Sequence, residues 1–194
     1  MQVVVTAGII VAQPIHLCLG LFETFGVQDI ELALTLGPGA QATVWAHGLF
    51  ATPHAARHTM RAEIRLMDEA VLRHQEAHWH GASGNIVVSP HATVHLGKRA
   101  RYRADFSLLH GRVGRLDIDY AVVLAEGALA ELTSRLYGFG DDVIRLRERL
   151  DLDGAVARGL LKSRVAVRDD ARADVFGVIE GNAAGVRGHV DCME

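Results

Sequence analysis

Residues 30–47 read IELALTLGPGAQATVWAH, and this stretch decides the fold. Leu32, Leu34 and Leu36 alternate with Glu31, Ala33 and Thr35. Gly37-Pro38-Gly39 then turns the chain, and Ala42, Val44 and Ala46 resume the same alternation. A two-residue apolar period interrupted by Gly and Pro is a strand, a turn and a strand, each strand with one face toward a core. Working outward, Arg61 to Leu66 sets Ala62, Ile64 and Leu66 against Arg61, Glu63 and Arg65, and Asp68-Glu69 supplies the next turn. Further turns are expected at Ser89-Pro90-His91, Glu126-Gly127, Gly140-Asp141-Asp142, Asp169-Asp170 and Gly181-Asn182.

An alanine follows several of these turns, at Ala40, Ala70, Ala92, Ala128 and Ala171, as if a small residue must fit where each strand bends back into a tight interior. The spacing is irregular, so no strict period emerges from it. Twenty glycines, 6% aromatic residues and abundant valine suit many short stacked strands. A β-sandwich fits this pattern nearly as well as a solenoid. Leu129, Leu132 and Leu136, and likewise Val143, Leu146 and Leu150, also suit a helical face, so short helices stay open in those two places.

The chain has 194 residues, 49% of them hydrophobic and 22% charged, with a net charge of −3. That is a one-domain globular composition without the positive surface that duplex nucleic acid requires. No apolar run approaches the roughly 20 residues that cross a bilayer, and no basic residue precedes the apolar N-terminal stretch, so a cytoplasmic protein is expected. Two cysteines, Cys18 and Cys192, make no disulfide framework. No phosphate-binding loop, nucleophile elbow or dinucleotide fingerprint appears, so any ATP would be bound by a partner.

The segment Lys162 to Glu194, KSRVAVRDDARADVFGVIEGNAAGVRGHVDCME, resembles the "S-K … G … G … A … C-D" segment of the SufB/SufD family of iron–sulfur cluster assembly proteins, in which a lone cysteine closes a strand after a Gly-rich turn. The step IELALTLGPGAQATVWAH is similar to another part of the same family's core. The resemblance runs from about Val3 to Glu194 and implies an all-β, right-handed, single-stranded parallel β-helix with few or no long helices. At about 22 residues per repeat it implies about nine coils. It implies one core domain over 1–194 that lacks the family's terminal helical regions. A cysteine at the place of Cys192 resembles the SufB branch. The implied role is a non-enzymatic scaffold that takes sulfur and iron for a transient iron–sulfur cluster at Cys192. The implied partners are a SufC-like ABC-type ATPase, a SufB/SufD-like paralogue or a second copy of the chain, and a sulfur donor protein. The alternative is a β-helical interaction protein that oligomerises and holds no cofactor. A polysaccharide-active β-helix is disfavoured by the low aromatic content and by only two asparagines, Asn85 and Asn182.

By strand parity Cys192 points with Val186, Gly188 and Val190, which suits a buried thiol as well as a ligand. Asp191 and Glu194 stand beside it, either as oxygen donors to a metal or as solvated carboxylates. Cys18, among Leu17, Leu19 and Leu21, reads as a buried small hydrophobe with no chemistry. The pairs His54/His58, His74/His78 and His91/His95 are four apart, about 13 Å along a strand, too far to share an ion; only His78 and His80 approach ligand spacing. These histidines are expected on an exposed strand face. Arg99, Arg101 and Arg103 are expected to share one face beside Tyr102 and to suit either an anionic partner or plain solvation.

Overall fold

A computed structural model describes residues 1–21, 25–51 and 55–193. Fourteen strands alternate between two seven-stranded sheets. The first is ordered β1-β3-β5-β7-β9-β11-β13 and the second β14-β12-β10-β8-β6-β4-β2. The odd strands are β1 (Gln2–Val5), β3 (Phe25–Leu36), β5 (Ala55–Leu66), β7 (Ile86–Leu96), β9 (Gly114–Leu124), β11 (Val143–Leu152) and β13 (Arg172–Gly181). The even strands are β2 (Ile15–Gly20), β4 (Gln41–Phe50), β6 (Val71–His80), β8 (Arg101–His110), β10 (Leu129–Gly138), β12 (Arg158–Val167) and β14 (Arg187–Met193). Every pairing is parallel, and each strand bonds to the strand two places on, so the chain winds as a flattened parallel β-helix. A sandwich is excluded by this topology. No helix occurs among the described residues: β10 and β11 occupy the two helically ambiguous stretches.

The repeat is longer than 22 residues. In the first sheet one interior column runs Val3, Leu34, Ile64, Val94, Val122, Leu150 and Ile179, with steps of 28 to 31 residues. Nine coils therefore become about six turns, because each coil contains two strands of ten or so residues instead of shorter rungs.

Three of the expected alanines, Ala40, Ala70 and Ala128, do follow the turns, whereas Ala92 and Ala171 do not belong with them. The column of fully buried alanines after the turns is Ala40, Ala70, Ala100, Ala128 and Ala157; Ala92 lies within β7, and Ala171 is only half-buried. Each is preceded by a residue with positive φ, namely Gly39, Glu69, Arg99, Gly127 and Val156, with Gly185 extending the series to Val186. The N–H of each of these from Gly39 to Val156 donates to a carbonyl in the next coil's turn, at Asp68, Lys98, Glu126, Ala155 and Ala184. The left-handed residue thus satisfies a backbone donor at the corner, which offsets the cost of about 1–2 kcal/mol for a non-glycine there.

Two further expectations change. Ser89-Pro90-His91 is not a turn but the middle of β7. Ser89 and Pro90 pair with Thr59 and Met60 of β5 but have no partner in β9, where pairing resumes at His91 with Asp119. Proline lacks the N–H that side of the ladder needs, so the break is local and the strand continues. Gly181 likewise ends β13, and the turn comes just after it at residues 183–185.

Between the sheets lies one continuous core. From β9 to β12 it is filled by Leu116, Ile118, Val122, Leu132, Leu136, Ile144, Leu146, Leu150 and Leu161. Each such side chain contributes roughly 1.5–3 kcal/mol by leaving water.

Candidate functional site

Cys192 lies in the last strand of the second sheet, directly opposite Ser163 of β12. Its side chain points inward, as parity predicts, yet it is exposed, because β14 is the edge strand and its coil is the end of the described stack. Val190, 41% exposed, shares that open end. Ser163, itself buried, donates its Oγ hydrogen to Cys192 Sγ at 2.9 Å.

Asp191 faces the other way. Its Oδ2 accepts from Arg164 at 2.6 Å, and Arg164 also donates to the Asp191 carbonyl at 2.9 Å. The guanidinium hydrogen bond holds the Asp191 carboxyl below its ordinary range. Asp191 is therefore committed to Arg164. Glu194 and His54 lie outside the described residues.

Cys18 is exposed, not buried, since β2 turns Leu17 inward and Cys18 outward. It pairs with His47 of β4, and His16 Nδ1 lies 3.4 Å from His47 Nε2 on the same outer face. Six parallel strand spacings of about 4.8 Å put Cys18 and Cys192 roughly 29 Å apart, at opposite ends of the sheet. The arginine stripe also divides: Arg99 occupies a turn and pairs with Glu69, Arg101 and Arg103 face water, and Tyr102 is buried.

Contrary to expectation, the histidines of β5 and β6 are interior. His58, His74, His78 and His80 are buried together with Glu76. His78 Nε2 donates to Glu76 Oε1 at 2.7 Å, and Tyr120 Oη donates to Glu76 Oε2 at 3.4 Å. Gln28 Nε2 donates to the Gly20 carbonyl, so its Oε1 is free to accept from His58 Nδ1 at 2.8 Å. Phe50 packs against His58, His78 and His80 with ring centroids 5.1, 5.5 and 4.9 Å away. Burial, reinforced by the neighbouring His78, lowers the pKa of His58 to about 4 and of His80 to about 3. Among the described residues, five buried ring nitrogens there have no hydrogen-bond partner: His58 Nε2, His74 Nε2, His78 Nδ1 and both of His80. Farther along, Ser134 donates to Glu148 Oε1 at 2.6 Å, and burial raises the Glu148 carboxyl to about 7. Among the described residues no group of three or more His, Cys, Asp or Glu side chains is placed to hold a metal ion.

No family model matches the chain. It is 31% identical over 193 residues to an iron–sulfur cluster assembly SufBD family protein of Methanocaldococcus jannaschii, an alignment that covers 100% of this chain. It is 30% identical over 181 residues, 93% of this chain, to a protein of the same description from Pyrococcus horikoshii. The chain belongs to the SufB/SufD family. It spans 61% and 55% of the length of these two SufBD relatives. In this SufB/SufD β-helix the interior imidazole group is what sequence reading missed. The signal was present in the identical parity of His74, Glu76, His78 and His80, but parity cannot tell an inner face from an outer one.

Proposed function

We propose that this chain works in the cytoplasm as a scaffold component of iron–sulfur cluster assembly, with Cys192 accepting sulfur and serving as a ligand of the nascent cluster. The observation that carries the reading is the exposed Cys192 thiol at the open end of a SufB/SufD-family stack, with the Ser163 hydroxyl on its sulfur. In the sulfur step the Cys192 thiolate attacks the outer sulfur of a donor protein's persulfide. The donor departs as a thiolate, and Cys192 becomes the persulfide, with the proton staying on the terminal sulfur. Soft sulfur ligands then suit iron. Cluster iron and sulfide are cargo here, and an edge strand with solvent access is a suitable place to load and release them.

A SufC-like ATPase and a SufB/SufD-like paralogue or second copy are the partners this role requires. The uncovered end of the stack, where the inward-pointing Val190 is exposed beside an unpaired strand edge, supports association there. The remaining ligands would come from a partner at this open end.

Anaerobic reconstitution with ferrous iron and sulfide tests the role. The wild-type chain should develop visible-range charge-transfer absorption, and Cys192→Ser should lose it while keeping its β-sheet circular dichroism. A colourless wild type, alone and with its ATPase and paralogue, rejects the scaffold and leaves the interaction-protein reading. That reading expects an oligomer whose mass does not change with Cys192→Ser or with chelator.

A further inference from the structure

We propose that the outer face of the second sheet, along the line of Arg73, Arg101, Arg158 and Arg187, is a docking surface for a protein partner that presents an acidic amphipathic helix. The surface lies on the opposite side of the strands from the Cys192 thiol and does not depend on the reading above.

The first ground is a difference between the two outer faces. On the first sheet, outward-facing cations and carboxylates balance, and Arg57, Arg65, Arg115, Arg145, Arg147 and Arg149 each have a carboxylate oxygen within 4.0 Å. On the second sheet, eight Lys and Arg side chains face outward from the strands against three carboxylates, Asp105, Glu131 and Asp191. Those three are taken by Arg135, Arg103 and Arg164. Among the described residues Arg73, Arg101, Arg158 and Arg187 are exposed and have no acidic partner, on a chain whose net charge is −3. The positive charge is therefore gathered on one face, where it selects a negative partner.

Register is the second ground. Arg158 and Arg187 stand directly opposite each other on β12 and β14, as do Arg73 and Arg103 on β6 and β8. Like charges opposite one another on adjacent strands destabilise a sheet. The free chain carries that cost twice, and carboxylates laid over the pairs remove it.

The third ground is what separates the arginines. Arg101, Leu129, Arg158 and Arg187 occupy one register row across β8, β10, β12 and β14. Leu129 and Glu131 line two adjoining shallow clefts, one reaching Arg73 and Arg101, the other Leu160, Arg158 and Arg187. Half-buried leucines ringed by arginine have the make-up of a protein interface, in which arginine is enriched. From β6 to β14 there are four strand spacings, about 19 Å, which a helix of about 13 residues laid across the strands would span. Phosphate backbones and anionic membranes fit less well, because Glu131 stands in the middle of the line and the leucines gain nothing from phosphate.

The test is fluorescence anisotropy of the full chain with a labelled helical peptide of about 15 residues that carries leucine at helical spacing and glutamate elsewhere. Saturable binding that weakens steeply with added salt is expected. The double variants Arg158→Ala/Arg187→Ala and Arg73→Ala/Arg101→Ala should each weaken it by about tenfold or more. Arg61→Ala, an equally exposed arginine on the other sheet, should leave it unchanged, and the peptide with glutamine in place of glutamate should not bind. Arg187→Glu should abolish binding while raising the urea midpoint of the free chain, since a carboxylate there faces Arg158; this variant separates a lost surface from a lost fold. No peptide binding by folded wild type overturns the proposal. So does binding that survives the double variants or Arg187→Glu, or that Arg61→Ala removes, or tighter binding of duplex DNA or phosphatidylglycerol vesicles to the same arginines.

Discussion

Two regions of the same solenoid solve the problem of a buried polar group in opposite ways. Between β10 and β11, the single carboxylate Glu148 meets the single hydroxyl of Ser134 at 2.6 Å, inside a wall of Leu132, Leu136, Leu146 and Leu150. The one hydroxyl donor meets an acceptor oxygen. Between β5 and β6 four histidines and one carboxylate share the interior, and five ring nitrogens are unmatched. The two regions have the same parallel strand architecture and the same kind of inner face. What differs is whether the polar side chains satisfy one another, and an unmatched set costs stability.

Acidification should separate the two regions most strongly. The folded chain holds His58 near 4 and His80 near 3, against an ordinary value of 6.5. The unfolded chain therefore binds protons first, and stability is fully present above pH 6.5 and lost as pH falls toward 4. Each ring accounts for on the order of 3 kcal/mol between pH 6.5 and 4. Denaturant midpoints measured across that range should fall steeply, and the double variant His58→Leu/His80→Leu should flatten the curve. An equally steep curve in the double variant would assign the loss to other groups.

A paired substitution comes next. Leu146→Ala, in the aliphatic coils, should cost about 3 kcal/mol as a cavity. His80→Leu, in the imidazole coils, removes two orphaned nitrogens and keeps the volume, so the protein should gain about 1 kcal/mol at pH 7. Thermal or urea unfolding of the two variants side by side measures the contrast, and a His80→Leu loss as large as that of Leu146→Ala would erase it.

The smallest contrast belongs to the Glu148–Ser134 pair. Burial raises Glu148 to about 7 from its usual 4.5, so its stability is fully present below pH 4.5 and lost as pH rises through 7, the opposite direction to the histidines. Glu148→Gln should therefore stabilise the chain by about 2 kcal/mol at pH 8 and by little at pH 4.5, read from urea midpoints at the two pH values. A uniform change at both pH values would mean that packing, not ionisation, sets the cost.

Much of the fold was legible because strand parity is local. The alternation in Glu31 to Leu36 and Arg61 to Leu66 names the inward residues without reference to anything distant, and the turn residues at Asp68-Glu69 and Glu126-Gly127 mark the corners where they occur. The repeat length was not legible, because Ala100 and Ala157 follow Arg99 and Val156, residues that carry no turn signature yet adopt positive φ. Pro90 misled for the complementary reason: a strand tolerates it where one neighbour needs no N–H from it.

At the candidate sites the division is the same. Residue order alone put Cys192 on the same side as Val190, and His74, Glu76, His78 and His80 on one side together, since a pleated strand alternates every residue. Tertiary structure alone decided which side was enclosed, because that depends on the coil above and the coil below. Those neighbours seal the four histidines between two sheets, leave Cys18 facing water, and, at the edge of the stack, leave the inward-pointing Cys192 open. Burial is a property of stacking at steps of 28 to 31 residues, a distance over which no local pattern in the chain carries information.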